Sequence, residues 1–78
     1  MADLKETLYN IARAIVDSPD EVTIVESGDD KDVKLVLSVA EDDMGKVIGK
    51  NGKNAKAIRT VMKAVAASDG KKVVVDIR

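Results

Sequence analysis

Apolar residues recur at helical spacing over the first part of the chain. The residues of this stripe are Leu4, Leu8, Ile11, Ala12 and Ile15. Asp3 with Glu6 three positions later has the spacing of a capping box, and Ser18 followed by Pro19 is a helix-stop signal. The pattern therefore predicts an amphipathic helix over residues 3–18 whose apolar face packs on a core.

Three later segments have the pattern of β-strands. Residues 22–25 form a short, mostly β-branched run, and both 33–39 and 71–78 alternate apolar and polar positions. The turn-forming residues 27–30, Ser-Gly-Asp-Asp, separate the first two segments. We expect those two strands to form an antiparallel hairpin, and the last segment to add a third strand.

Two further helices are predicted between the second and third strands. Asp42 or Asp43 is positioned to cap a short first helix. The apolar positions of this short helix are Met44, Val47 and Ile48. The second helix spans residues 53–67, and its apolar side comprises Ala55, Ile58, Val61, Met62 and Val65. The predicted order is α-β-β-α-α-β, a single α+β domain over residues 1–78 with three helices on one face of a three-stranded sheet.

Composition excludes several kinds of chemistry. The 78 residues contain no Cys and no His, so thiolate sites, disulfides and the commonest general base are absent. The start of the chain lacks a signal pattern, and no apolar run could span a bilayer. We expect a small soluble intracellular protein that is not an enzyme and uses no cofactor, metal or small-molecule substrate. The acid pairs 29–30 and 42–43 could hold a hard cation, but a turn and a helix cap are the favoured interpretations.

Charge is segregated along the chain. The formal net charge is −1, yet residues 1–43 hold four basic against twelve acidic residues, and residues 44–78 hold nine against two. Six cations and no acid lie between Met44 and Ser68. On the helical wheel, a polar arc opposite the apolar side comprises Lys53, Lys56, Arg59, Thr60 and Lys63. A polyanion would therefore meet a locally positive surface despite the balanced sum.

A Gly-x-x-Gly turn at residues 49–52 interrupts the two helices in the middle of this basic region. Glycine permits left-handed backbone and close approach of a ligand, and the amino terminus of the next helix favours an anion. A plain helix connector with a solvated basic face remains the alternative interpretation. A Walker A loop fails because residue 47 is Val and Lys53 is followed by Asn54, and a dinucleotide fingerprint fails because Val47 lies within a predicted helix.

The run Gly-Lys-Val-Ile-Gly-Lys-Asn-Gly at residues 45–52, together with the element order, resembles a KH domain. More narrowly, it resembles the small bacterial single-KH-domain RNA-binding proteins of the KhpA type, in the type II arrangement. The resemblance implies that residues 49–52 clamp about four nucleotides of single-stranded RNA. The RNA-binding residues predicted on this basis are Gly45, Lys46, Val47, Ile48, Gly49, Lys50, Asn51, Gly52, Lys53, Lys56 and Arg59. From charge alone, the expected path follows Lys50, Lys53 and Lys56, with an extension to Lys71 and Lys72.

The resemblance further implies a cytoplasmic RNA chaperone or post-transcriptional regulator linked to cell shape, cell elongation, cell wall organization and envelope homeostasis. It also implies a homodimer, or a heterodimer with a second KH-domain protein. Because the chain has no Phe or Trp, stacking is weak, and we expect salt-sensitive binding that tolerates many sequences. The alternative is a protein-interaction module that binds RNA only within a hetero-complex.

Overall fold

A computed structural model describes residues 3–78. The elements in chain order are α1 (Leu4–Ile15), β1 (Thr23–Gly28), β2 (Asp32–Ser38), α2 (Met44–Ile48), α3 (Lys53–Ser68) and β3 (Lys72–Ile77), with short 3-10 turns at Pro19–Glu21, Glu41–Asp43 and Lys50–Gly52. The predicted α+β class and the order α-β-β-α-α-β are confirmed. Within residues 3–78, none of the helices has the length and apolar character needed to cross a membrane.

The three strands form one mixed sheet in the order β1-β2-β3. β1 and β2 pair antiparallel, with Thr23 opposite Ser38, as expected for strands joined by a tight turn. β2 and β3 pair parallel, with Val33 opposite Val73, because the intervening helices return the chain to the same end of the sheet. β1 and β3 are therefore the edge strands of the sheet.

The core lies between the inner face of the sheet and the three helices. Its fully buried side chains are Leu8, Leu35, Leu37, Val47 and Met62. Alternate residues of β2 supply the sheet side of this core, whereas Val25 and Val74 lie exposed on the outer face. The helices thus cover one face of the sheet, and the core fixes α2 and α3 relative to β3.

The first helix begins as predicted but ends earlier. The Asp3 carboxylate accepts a hydrogen bond from the Glu6 backbone N–H at 3.2 Å, which confirms the predicted cap. The carboxyl end at residue 18 is wrong, because α1 ends at Ile15 and Val16 adopts extended backbone. Val16 is buried there, so the chain leaves the helix at the point where that side chain enters the core.

The buried side of α3 differs from the predicted one by a small rotation. Its buried residues are Ala55, Ile58, Met62 and Ala66, at spacings of three and four. Val61, which was predicted on the apolar side, is 46% exposed, and Val65 is only half-buried. The core therefore contacts α3 along a narrower stripe than the sequence pattern implies. The helix surface on both sides of this stripe is accessible to solvent.

Candidate nucleic-acid interface

The turn between α2 and α3 requires left-handed backbone at three positions. Gly49 has φ 75° and ψ 173°, and Gly52 has φ 75° and ψ 14°. Asn51 has φ 58° and ψ 26°, a conformation that Asn tolerates better than most residues. The Gly49 N–H donates to the Gly45 carbonyl at 2.8 Å, and this bond closes α2. Glycine at both ends of the motif is therefore a conformational requirement of the turn.

The side chain of Asn54 holds the turn against the start of α3. Its Nδ2 donates to the Lys46 carbonyl at 2.7 Å. A Cβ atom added to Gly49 would lie 2.7 Å from Asn54 Cγ and 2.9 Å from its backbone N, so only glycine fits this approach. Asn54 was not among the residues predicted from the sequence. The available signal was an Asn in the first turn of a helix, where amide side chains compete well for backbone groups.

Three of the predicted cations are exposed around this turn. Lys50 lies within it, and Lys53 and Lys56 lie on the first turns of α3. Among residues 3–78, no side chain caps the amino terminus of α3. The helix dipole therefore adds to the lysine charges at this point, and the combined field favours a phosphate.

Lys46 is exposed but already engaged. Its ammonium group forms a salt bridge with the carboxylate of Asp17, in the segment that follows α1. The hydrogen bond that Lys46 donates to the Asp17 carboxylate raises the pKa of Lys46 above its ordinary value, so the lysine remains charged at neutral pH. A phosphate at Lys46 would have to displace the Asp17 carboxylate. In this respect Lys46 differs from Lys50, Lys53 and Lys56.

Arg59 is positioned by the edge strand. Its Nε donates to the backbone carbonyl of Val75 at 3.2 Å. That carbonyl points away from β2, because Lys72 and Arg78 use their N–H groups to bond the Lys31 and Leu37 carbonyls. The guanidinium group therefore lies between the side of α3 that carries Lys53 and Lys56 and the edge of β3 that does not pair with β2.

The apolar residues of the motif have different accessibilities. Ile48 is 38% exposed, so its side chain is accessible at the surface beside the turn. Val47 is among the predicted RNA-binding residues, but it is fully buried in the core and its side chain offers no surface to a ligand. Adjacent residues of a helix point about 100° apart, so Ile48 faces outward when Val47 points into the core. Gly45 is exposed on α2, and nothing lies within 4 Å of a Cβ built there.

The predicted helix-capping role of Asp43 is wrong. Asp43 occupies the position before α2, but its carboxylate makes no capping hydrogen bond to that helix. Instead it is buried, with 2% exposure, and accepts hydrogen bonds from the backbone N–H groups of Asp17 and Ser18 at 3.2 and 3.0 Å. The two N–H groups face inward after α1 ends early, and a carboxylate satisfies both of them.

The other acid pair belongs to the hairpin turn. Asp29 Oδ1 accepts hydrogen bonds from the N–H groups of Lys31 and Asp32 at 2.9 and 2.8 Å. These bonds lower the pKa of Asp29 below its ordinary value, the Asp32 bond having the larger effect. The turn interpretation of this acidic segment is therefore confirmed for Asp29.

Comparison with known proteins gives a consistent result over almost the whole chain. The family described as "KhpA/KhpB, KH domain" matches residues 5–77. The chain is 53% identical to the RNA-binding protein KhpA of Clostridium acetobutylicum over 74 residues, which cover 95% of this chain and 99% of the relative. It is 40% identical to the RNA-binding protein KhpA of Bacillus subtilis over 74 residues, which cover 95% and 91% of the two chains. Together with the helix–turn–helix geometry at residues 49–52, these matches show that the chain belongs to the KhpA/KhpB family of KH domains.

Proposed function

We propose that this protein binds single-stranded RNA, with the phosphate backbone held at the Gly49–Gly52 turn. The observation on which the proposal depends is the preformed turn itself. Its backbone is open to close approach at Gly52, where nothing lies within 4 Å of a built Cβ, and Lys50 and Lys53 stand beside the uncapped amino terminus of α3. Relatives at 40–53% identity bear the name RNA-binding protein, which supports RNA as the polyanion.

In this mechanism the backbone and the lysines supply affinity, and bases are read weakly. One phosphate lies at the turn, and the following phosphates lie along Lys53 and Lys56. Ile48 contacts a base from one side of the turn, and Arg59 contacts the RNA from its position at the open edge of β3. With no Phe or Trp to stack on, most of the affinity comes from counterion release and falls steeply with salt.

The double substitution Lys50→Asp/Asn51→Asp tests the proposal. Asp tolerates the left-handed backbone of residue 51, so the fold is expected to persist while two negative charges replace the phosphate contacts. The matched control is Lys5→Asp/Asn10→Asp, which makes the same chemical changes at exposed positions of α1. Gel shift with a short oligouridylate should show binding lost in the first variant and retained in the second. Equal binding by both variants would contradict the assignment.

We infer a second interaction, with another copy of the chain, from the flank of α3 that faces α1. An apolar groove of about 280 Å³ lies there and is lined by Ile11, Ile15, Asn54, Ala57, Ile58 and Val61. It contains no charged side chain and lies across α3 from the cations, so an occupant would leave the turn accessible. A dimer would present two weak RNA sites together, which raises affinity through effective concentration.

Val61→Asp tests this pairing. Val74→Asp is the matched control, because Val74 is at least as exposed but lies on the outer face of the sheet. Sedimentation equilibrium should give a dimer for the wild type and the control and a monomer for Val61→Asp. A monomeric wild type, or an unchanged Val61→Asp dimer, would exclude this surface as the dimer interface.

The family resemblance also implies a cellular role for this RNA binding. We propose that the protein acts in the cytoplasm as an RNA chaperone or post-transcriptional regulator that affects cell shape.

A further inference from the structure

β1 is an edge strand and lies in an acidic part of the chain. Within residues 3–78 its only partner in the sheet is β2. Residues 19–30, which cover β1 and the turns on either side of it, contain five acidic residues and no basic one. The proposed RNA site uses none of these acids, and they would repel a phosphate backbone. A partner at this edge is therefore expected to be a protein segment and not RNA.

The backbone of β1 directs hydrogen-bonding groups toward the free edge. Leu37 of β2 lies opposite Ile24, but its carbonyl accepts the Arg78 N–H at 2.8 Å and so points toward β3. Ile24 therefore directs its own N–H and carbonyl away from β2, and the alternation of the strand gives Glu26 the same orientation. Such an edge is a template for pairing with an extended segment of another chain.

A groove lies beside this edge, between β1 and the first half of α1. Its volume is about 440 Å³, and its walls are residues 22–24 on one side and Asp3, Lys5, Glu6 and Tyr9 on the other. Tyr9 is the only aromatic residue of the chain, and the Arg13 guanidinium lies 5.1 Å from the centroid of its half-buried ring. A free strand edge with a groove beside it offers main-chain bonds to an added strand and a place for its alternate side chains.

The charges around the groove favour basic side chains at its two ends. Ile24 is buried, so Glu26 projects on the same inner face two residues further along β1. Glu21 is exposed and precedes the groove residues 22–24 at the opposite end. The ionisable side chains around the groove are four acids, Asp3, Glu6, Glu21 and Glu26, and two cations, Lys5 and Arg13. The excess of acid attracts a segment with lysine or arginine on either side of an apolar residue.

Two alternative pairings are disfavoured by charge. A second copy that paired through β1 would bring the five acids of residues 19–30 against the same five acids, which opposes association. At the other free edge of the sheet, Arg59, Lys71 and Lys72 lie on or beside β3, so a basic segment is repelled there. The β1 edge is therefore the one that suits a basic partner.

We propose that the edge of β1 binds an extended segment of a partner protein, with a basic residue two positions before and two positions after an apolar one. The apolar residue pairs with Ile24 and lies over the groove beside Tyr9. One basic residue pairs with Glu26, and the other approaches Glu21. The segment adds a fourth strand to the sheet. It uses no residue assigned to RNA binding or to the proposed dimer groove, so this inference goes beyond the proposed function and can fail without affecting it.

The probe is the acetylated and amidated heptapeptide Thr-Lys-Thr-Val-Thr-Lys-Thr. One control peptide has both lysines replaced by glutamate, and a second carries an N-methyl group on valine, which removes the hydrogen bond to the Ile24 carbonyl. In amide-shift mapping at low salt, the probe should perturb residues 22–28 and Tyr9 and leave β3 and the Gly49–Gly52 turn unchanged. Both control peptides should bind about tenfold more weakly or less, since one loses the charge attraction and the other a central main-chain bond.

Glu21→Lys/Glu26→Lys should weaken binding of the probe about tenfold and strengthen binding of the glutamate peptide. The matched control Glu41→Lys/Asp42→Lys makes the same change of charge at exposed positions outside this edge, and it should leave both affinities within about twofold of wild type. Undiminished binding of the N-methylated peptide, shifts centred on β3, or equal effects of the two variants would overturn the proposal.

The remaining outcomes separate this inference from others. Shifts at residues 22–28 that depend on protein concentration in the absence of peptide would identify a second copy as the occupant and would also overturn it. Lys50→Asp/Asn51→Asp should bind the probe like wild type, because its substitutions lie outside the β1 edge. Loss of RNA binding with retained peptide binding in that variant supports both proposals as independent sites, and loss of both would overturn the independence of the β1 edge.

Discussion

The buried carboxylate of Asp43 accepts a hydrogen bond from the backbone N–H of Ser18 at 3.0 Å. This bond, with the parallel one from Asp17, fastens the segment after α1 to the residue immediately before α2. α2 in turn leads directly into the Gly49–Gly52 turn. A single buried side chain therefore fixes the start of the helix that leads into the candidate RNA site.

Removing this carboxylate should destabilise the fold. Asp43→Ala leaves two backbone N–H groups without their acceptor in a buried place, and we expect a loss of about 2–3 kcal/mol in the free energy of unfolding. For a domain of this size, that loss corresponds to a decrease in Tm of roughly 10–20 °C. Urea unfolding of Asp43→Ala against Asp42→Ala measures it, because Asp42 is exposed and its truncation should cost within about 0.5 kcal/mol. Equal stabilities would show that Asp43 has no anchoring role.

The contrast between Asp43 and its expected role shows what sequence patterns can and cannot provide. Periodicity predicts the elements, because burial of an apolar stripe depends on residues close in sequence. The bond between Asp43 and Ser18 joins residues 25 positions apart. An Asp before a helix is locally a cap, and only the early end of α1 brings two unsatisfied N–H groups to it. The same reason explains why the exposure of Val61 was not predicted.

The three glycines near the turn should respond differently to alanine. Gly45 is in α2 with no atom near a Cβ, so Gly45→Ala should stabilise the fold by about 0.5–1 kcal/mol. Gly52→Ala meets no atom but has φ 75°, and it should cost about 1–2 kcal/mol. Gly49→Ala adds a clash with Asn54 to the same backbone strain, and it should be the most destabilising of the three. Chemical unfolding of the series measures this order.

A different order would contradict the described turn geometry. If Gly49→Ala and Gly52→Ala cost the same, Asn54 does not pack against the turn as described. Asn54→Ala provides an independent check, because it removes the bond to the Lys46 carbonyl and the nearest of the atoms that a Cβ at residue 49 would meet, Asn54 Cγ at 2.7 Å, while Cβ and the backbone N of residue 54 remain at 2.9 Å. The combined Gly49→Ala/Asn54→Ala variant should therefore lose less stability than the sum of the two single substitutions.

The hairpin turn should contribute stability that depends on pH. The pKa of Asp29 is lowered by the N–H groups of Asp32 and Lys31, so its folded-state pKa lies below its unfolded value. Its contribution is present above the unfolded pKa and is lost as pH falls through the folded pKa. We expect Asp29→Ala to be less stable than wild type at pH 7, and the difference to shrink as pH falls below the unfolded pKa of Asp29 and through its lower folded pKa. Asp30→Ala is the control, and a difference that persists at low pH would exclude the carboxylate as its source.

Some residues of the candidate site could be predicted from the sequence, and others could not. Glycine spacing and the absence of acids predicted where the turn and its exposed lysines lie, because both depend on local sequence. The internal partners of Lys46 and Arg59 were not predictable, since Asp17 and the Val75 carbonyl approach only through tertiary packing. A row of six cations in sequence is therefore not a row of six equivalent phosphate ligands.

The salt bridge between Lys46 and Asp17 should act as an internal competitor of RNA. The pKa of Lys46 is raised by Asp17, and the pair persists until pH rises through that value, so it is intact at neutral pH. Asp17→Asn removes the competing anion and leaves Lys46 charged beside the turn. We expect this variant to bind an oligouridylate several-fold more tightly at low salt. Its salt slope, the decrease in log binding constant per unit increase in log salt concentration, should become steeper by about 0.7, the value for one further phosphate contact.

Asp20→Asn is the control for this prediction, because it removes the same charge from an exposed position three residues away. A general reduction of negative charge would strengthen binding equally in both variants, and the two salt slopes would remain the same. A steeper slope in Asp17→Asn alone means that the released ammonium group of Lys46 contacts phosphate directly. Fluorescence anisotropy of the wild type and both variants, titrated with salt at pH 7, decides between these outcomes. If neither affinity nor slope changes in Asp17→Asn, Lys46 lies outside the RNA path.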